Sequence, residues 1–372
     1  MSINLYKSWI EINSFDLNYN LSQVKEYIGD KVNILGIVKA NAYGHGLKEV
    51  SEILRNEVDW FGVDNIDEAL EIRSLGIKKP ILILGFVPFS RLMQIGENDI
   101  SISVYNKEFF SQIMDLKINK PFRIHLKIET GLNRQGVLFK NLVFFINQLK
   151  TFKDKIVVEG VYTHFSDTHD VEFVNSQFVI FQKAIEILEK NGFSNLLRHS
   201  SASAGILIDR KYHLDMVRIG ISLYGYLPYS KPKSEVANLE LVPVLGWKSV
   251  VGQVKWIEAG QFVGYGRTWQ SKTKTKIAII PVGYCDGFDR RFSNKGKVLV
   301  GGKIVNVIGR VAMNMFMIDV TKVLDVKVGD EVVLIGKQGN KKLTADDLAN
   351  QIGTIDHEIL SRINPQILRV VV

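Results

Sequence analysis

Short apolar runs recur along the first ~230 residues, separated by stretches whose apolar side chains stand three and four apart. The runs are Val32–Lys39, Trp60–Val63, Ile81–Gly85, Ile100–Val104, Phe122–Ile128, Val157–Thr163, Leu196–His199 and Met216–Ile221. Segments such as Phe15–Ile28 and Phe178–Leu188 carry the helical spacing between them. Strands that are apolar along their whole length belong in a parallel sheet covered on both faces, because the crossover helices lie over each face. Eight strand–helix units fit an N-terminal (β/α)8 TIM barrel. A doubly wound open sheet would show the same strand count and stands as the alternative.

The pattern changes after Tyr224. The segment Leu227–Glu235 (LPYSKPKSE) reads as a polar, proline-containing linker. Beyond it come short β-branched runs at Val242–Val254, Lys276–Val282, Lys297–Val300, Val305–Ile308 and Glu331–Ile335, with helical periodicity only at Thr344–Ile352. This predicts a mostly antiparallel C-terminal β domain. The division expected is a barrel over residues 1–230 and a β domain over 236–372, with the first ten or so residues free to pair with the latter.

Composition narrows the class. A chain of 372 residues, 46% hydrophobic and 23% charged, has the balance of a folded two-domain protein rather than a disordered or fibrous one. No apolar run approaches the length of a membrane helix, and the N-terminus shows no export signal. Cys285 is the single cysteine, so no internal disulfide or cysteine-rich metal site can form, and a reducing, cytoplasmic setting is expected. The net charge of +8 raises the question of nucleic acid. The densest basic stretch, SKTKTK at Ser271–Lys276, reads as a solvated loop, since its lysines are not interleaved with stacking aromatics. Histidine spacing offers no metal motif.

The candidate chemistry starts at Val38–Gly46, VKANAYGHG. Lys39 stands at the C-terminal end of the first predicted strand, where barrel enzymes place reacting groups. Apolar neighbours would desolvate its amine, lower its pKa and make it a nucleophile toward a carbonyl. A lysine snorkelling to solvent is the bland alternative.

The nonapeptide closely resembles the pyridoxal-phosphate site of alanine racemases. The resemblance continues, in the family's order, through FGVDNIDEALEIR, KIETGLNRQGV, GVYTHF, HSSASA, DMVRIGISLYG, VGYGRTW, VGYCDGFDR, GRVAMNM and IGTIDHEILSRI. It implies the same barrel-plus-β-domain fold, pyridoxal 5'-phosphate as cofactor, alanine racemisation for peptidoglycan precursors, and a homodimer with shared active sites. By resemblance Lys39 holds the cofactor and is one catalytic base, while Tyr265 of the partner subunit is the base on the opposite face. Two fixed bases suit a reaction that removes a proton from one side of Cα and returns one to the other. His164 and Arg218 match the chain that supports the tyrosine, and Arg218 also matches the arginine facing the pyridine nitrogen. Tyr43, Ser203, Gly220, Ile221 and His357 match phosphate-side positions, and His199 a residue below the cofactor. Arg134 matches the arginine that meets the substrate carboxylate. Lys127 matches a lysine that some relatives carbamylate, and Met313 and Tyr284 match substrate contacts from the partner.

Four positions depart from the commonest family pattern: Glu129 for Asp, Ala312 for Cys or Ser, Asn314 for Asp, and His357 for Tyr. Cys285, where Ala is common, reads as a small buried residue rather than a nucleophile. The shorter His357 opens the prospect of serine or another small amino acid as substrate. Two further readings are weighed. Barrel-type amino-acid decarboxylases share the architecture, but their glycine-rich phosphate loop and Cys-containing opposite-face motif are not found here. A non-catalytic cofactor-binding protein would not need Lys39, Tyr265, His164 and Arg218 together.

Overall fold

The structure, a computed structural model, describes residues 6–228 and 239–372. Most of the expected linker, from residue 229 onward, lies outside the described residues. Two compact units divide the chain: Asp16–Ala40 with Val50–Val242, and Met1–Phe15 with Asn41–Glu49 and Pro243–Val372.

The first unit is a barrel of eight parallel strands: Asn33–Ile37, Trp60–Val63, Ile81–Ile83, Ser101–Val104, Phe122–Glu129, Ile156–Tyr162, Leu197–His199 and Met216–Ile219. Each of the first six pairs with the next in parallel register, and the eighth returns to the first through Arg218↔Leu35. The seam between the last two strands is closed by the Ala202–Arg218 bridge and by the Arg218 amide donating to Ser201 O at 3.0 Å. Closure therefore decides against the open doubly wound sheet. The strand Phe122–Glu129 shows how the interior is built. Ile124, Leu126 and Ile128 share one face, whereas His125, Lys127 and Glu129 share the other, and all six are buried.

The second unit is a mostly antiparallel sheet. Strand Ser8–Ile12 lies between Leu245–Val250, antiparallel, and Leu368–Val371, parallel. The apolar run Val242–Val254 is two strands rather than one. Past Leu245–Val250, paired to Glu331–Gln338, the chain bends at Val251 and Gly252, and Gln253–Ile257 pairs with Thr275–Ile280. The core includes Phe288 stacked on Phe292 and on Phe316, each at 4.5 Å between centroids. Helix Ala345–Ile352 begins where the periodicity predicts, because Thr344 and Asp347 satisfy each other's backbone amides in a capping box. The six-residue helix Asp356–Ser361 is too short to show a period and was not anticipated.

One local feature sits directly after Lys39. Ala40, Asn41, Ala42 and Tyr43 all have φ between 51° and 55°, so they form a left-handed turn built from residues with side chains. Such backbone costs about 1–2 kcal/mol per residue. Hydrogen bonds hold it: Ala40 N donates to Glu68 Oε1 at 2.6 Å, Leu47 N to Asn41 Oδ1 at 2.8 Å, and Gly46 N to Asn41 O at 2.9 Å. Arg369 Nη2 donates to Gly44 O at 2.9 Å. Gly44 itself has φ +80°, and a Cβ there would lie 2.0 Å from Leu360 O. Gly44→Ala is expected to cost about 3 kcal/mol or more, from combined backbone strain and overlap. Urea unfolding of the variant checks this, and an unchanged midpoint would contradict it.

Candidate active site

At the mouth of the barrel the strand ends bring together Lys39, Lys127, Arg134, His164, Ser203, Arg218, Gly220 and Ile221. Arg218, on the strand Met216–Ile219, is 3% exposed. Its Nη1 donates to His199 Nδ1 at 3.0 Å and to His199 O at 3.1 Å. Its Nη2 donates to Thr163 O and Ser200 O, both at 2.8 Å, and to His164 Nδ1 at 3.3 Å. Every one of these acceptors is neutral, and none is a carboxylate. Burial pushes the guanidinium down to about 10, though it stays charged at neutral pH.

Because a guanidinium only donates, both histidine Nδ1 atoms must carry lone pairs, so His164 and His199 hold their protons on Nε2. Burial, reinforced by Arg218, holds both imidazoles well below their usual range and therefore neutral. His164 feels four cations, Arg218, Arg134, Lys127 and Lys39. The acid nearest to balancing them, Glu129, is engaged by its own loop: Gly131 N donates to Oε1 at 2.6 Å and Arg134 N to Oε2 at 3.3 Å. Glu129 therefore shapes the segment that carries Arg134.

Lys127 is buried, and desolvation followed by the charges of Arg134 and Arg218 brings its amine down to about 8. It donates to Gln135 Oε1 at 3.2 Å, and Gln135 Nε2 donates to Tyr105 OH at 2.9 Å. Its Nζ stands 5.4 Å from the ring of Tyr162. Burial pushes the Tyr162 phenol up to about 12. Since the Ser103 hydroxyl donates to Ile83 O at 2.8 Å, the Tyr162 phenol is the donor in their 2.7 Å contact.

On the opposite side of the mouth, Ser203 Oγ accepts from Gly220 N at 3.0 Å and Ser222 N at 3.4 Å. The Gly220 amide is thus already directed at Ser203, and the serine's own proton is left to give.

The second unit holds the other candidates. Tyr43 has its phenol pushed up to about 12 by burial and by Asp356. Its ring lies 5.7 Å from that of His357, whose Nδ1 is 2.6 Å from Asp356 Oδ1. Tyr265 opens a 3-10 turn, Tyr265–Arg267, and is 73% exposed, so it does not pack as a strand residue. It borders a cavity of about 550 Å³, also lined by Phe262, Arg310, Met313, Asn314 and Met315. Tyr284 and Met313 are exposed as well. Cys285 is exposed rather than buried, because it follows the exposed Tyr284 in a surface turn, and Asn314 Nδ2 donates to its Sγ at 2.9 Å. Sequence reasoning did not single out Glu68, Gln135, His125 or Asp356, whose roles come from pairings that no local motif encodes. Among the described residues no helix is long and apolar enough to cross a membrane.

Comparison with known proteins places this fold in a family. Residues 12–228 match the alanine racemase N-terminal domain, and residues 244–371 the alanine racemase C-terminal domain. "Alanine racemase 2" of Caldanaerobacter subterraneus is 39% identical over 97% of this chain and 94% of its own length. The alanine racemase of Methanococcus maripaludis is 38% identical over 97% of this chain and 98% of its own. The crystal structure of the Bacillus anthracis alanine racemase with bound L-Ala-P superposes with a TM-score of 0.93 at 32% identity, covering 98% of this chain and 95% of that one. That of Clostridium difficile gives 0.91 at 34%, covering 99% and 96%. The chain belongs to the alanine racemase family, whose members are isomerases.

Proposed function

We propose that the chain interconverts L- and D-alanine with pyridoxal 5'-phosphate as cofactor, by two bases, and so supplies D-alanine for peptidoglycan precursors. The observation that carries this reading is the buried Arg218 with only neutral acceptors, set among Lys39, Lys127 and Arg134. A cluster of cations without a free acid fits an anionic ligand, here a phosphate-bearing cofactor and a substrate carboxylate. Ser203, whose hydroxyl the Gly220 amide orients, and Ile221 would hold the phosphate, Tyr43 and His357 are assigned to it by the resemblance alone, and Lys39 would hold the cofactor's carbonyl carbon. When bound, the cofactor supplies the electron sink that makes the substrate Cα–H acidic.

The chain's own groups do the rest. Lys39 takes or returns a proton on one face of Cα. Tyr265 of the partner subunit does so on the other, and its phenolate needs a donor. His164, with its proton on Nε2, can be that donor, because Arg218 occupies Nδ1. Arg218, if it faces the ring nitrogen as the resemblance implies, could donate to that nitrogen but could not accept a proton from it, so the ring would stay neutral and side reactions such as transamination would be limited. Arg134 offers a two-pronged contact to a carboxylate. Tyr284 and Met313 are read as partner-subunit contacts to the substrate. The exposed Tyr265, Met313 and Met315 around an open cavity suit coverage by a second copy in a twofold dimer.

Lys39→Ala is expected to abolish both racemisation and the cofactor-dependent visible absorbance, and Tyr265→Phe to abolish racemisation alone. Mixing the two variants under exchange conditions should regain activity that neither shows by itself. No recovery in verified mixed dimers would rule out shared sites.

Serine is the second substrate reading, favoured by the half-buried imidazole of His357 where the family more often carries a longer tyrosine. His357→Tyr should raise the alanine-to-serine ratio of kcat/KM by about tenfold, the scale of one small side-chain group in a fitted pocket. An unchanged ratio would remove His357 from substrate selection.

Lys127 yields a pH prediction. Its folded pKa is about 8 against an ordinary 10.5, so between those values the unfolded chain binds the extra proton. Stability should therefore rise with pH across that window in the wild type relative to Lys127→Met. Alternatively the neutral amine adds carbon dioxide at Nζ, losing a proton to solvent, and the resulting anion faces Arg134. Native mass spectrometry would then show the added carbon dioxide and the slope would vanish. Finding neither the slope nor the added mass would refute a depressed Lys127 amine.

A further inference from the structure

The hydrogen-bond chain at Arg218 does not stop at His199. The Nε2 of His199 lies 2.9 Å from Nδ1 of His125, on the strand Phe122–Glu129, and both rings are fully buried. We propose that His125 is a positioning residue for the reaction: its Nδ1 accepts a hydrogen bond from His199 Nε2 and so holds that ring in the orientation and tautomer that Arg218 requires. The inference rests on the reading that Arg218 faces the cofactor ring.

The direction of the chain follows from one donor-only group. Arg218 Nη1 donates to His199 Nδ1, so the His199 proton is on Nε2. That N–H points at His125 Nδ1, which must then be the acceptor, leaving the His125 proton on Nε2. Burial and the charge of Arg218 hold His125 down to about 3, so no second proton enters to set donor against donor. Each imidazole has one arrangement compatible with its neighbours.

The surroundings admit this ring closely. At Gly160, on the adjacent strand, a Cβ would lie 2.5 Å from His125 Nδ1, so glycine there leaves room for the ring. The edge of His125 meets the Trp60 ring at 5.2 Å between centroids, with planes at 73°. His199 stacks on Tyr162 at 4.7 Å and 10°, and Ser103 pins the Tyr162 phenol.

Packing alone does not account for His125. Its Nε2 is buried with no hydrogen-bond partner among the described residues, which costs stability. An apolar residue of similar volume would avoid that cost. It would also leave the buried His199 N–H without an acceptor. The useful atom of His125 is therefore Nδ1, and the unsatisfied Nε2 is what its presence entails.

The test compares His125→Leu, which removes the acceptor, with His125→Asn, whose Oδ1 can stand near the place of Nδ1. In the cofactor-free protein, nitrogen-15 spectra of the histidine rings should show His199 protonated on Nε2 in the wild type and in His125→Asn, and altered in His125→Leu. In the loaded enzyme, His125→Leu should lower kcat by at least about tenfold with little change in KM, as expected for loss of a buried hydrogen-bond partner, and His125→Asn should recover much of it. His199 protonated on Nδ1 in the wild type would overturn the proposal even if His125→Leu failed to fold. So would a His125→Leu variant that loses only thermal stability while kcat and the His199 signals stay as in the wild type. Absence of cofactor-dependent racemisation in the wild type would instead overturn the functional reading, and with it the role in the reaction, whatever the His199 signals show.

Discussion

Arg218 is a full positive charge placed where water cannot reach it and where no carboxylate meets it. Such a group is tolerable only if its donors are occupied, and here they are taken by main-chain carbonyls of Thr163, His199 and Ser200 and by two imidazoles. Its own amide helps close the barrel seam at Ser201. One residue thus ties the last strand to its neighbours, fixes the tautomers of His164 and His199, and leaves the mouth with an excess of positive charge. A carboxylate at this point would have cancelled that excess and freed both histidines to turn.

The backbone beside Lys39 has a similar logic. Four residues with side chains in a left-handed turn persist only where surrounding contacts over-determine them. Glu68 accepts from Ala40 and from Asp64, so its carboxylate fixes the turn's first amide. Asn41 closes the turn with both its carbonyl and its side chain, and Arg369 gathers the carbonyl of Gly44. The strain lies next to the lysine on which the proposed chemistry depends, while two of the groups that restrain it, Glu68 and Arg369, come from distant parts of the sequence.

That distance explains what the sequence could and could not convey. The eight barrel strands were legible because burial on both faces writes a continuous apolar run, and helix Ala345–Ile352 because its capping box is local. The run Val242–Val254 misled because a change of pairing partner at Val251 and Gly252 leaves no mark on hydrophobicity. Phe122–Glu129 read as a simple apolar strand, although its alternate positions turn His125, Lys127 and Glu129 to one face. Lys39 and Tyr265 were singled out through ordered motifs, not through residue type. Glu68 pairs 28 residues away and His125 pairs 74 residues away, and the direction of a hydrogen bond between two histidines exists only once a third group, Arg218, has been placed beside them.

The departures from the family pattern also gain meaning in three dimensions. Asn314 and Cys285 stand 29 positions apart and looked like two unrelated changes, one losing a charge and one adding a thiol. In the fold they are one contact, with the Asn314 amide donating to Cys285 Sγ. An aspartate at 314 could only accept, and it would add a second negative charge near a thiol that partial desolvation and Asp286 already push upward. The amide replaces that repulsion with a donor. Glu129 follows the same reasoning: it keeps the carboxylate its position requires, spends both oxygens on the loop amides of Gly131 and Arg134, and leaves the cations at the mouth for the ligand.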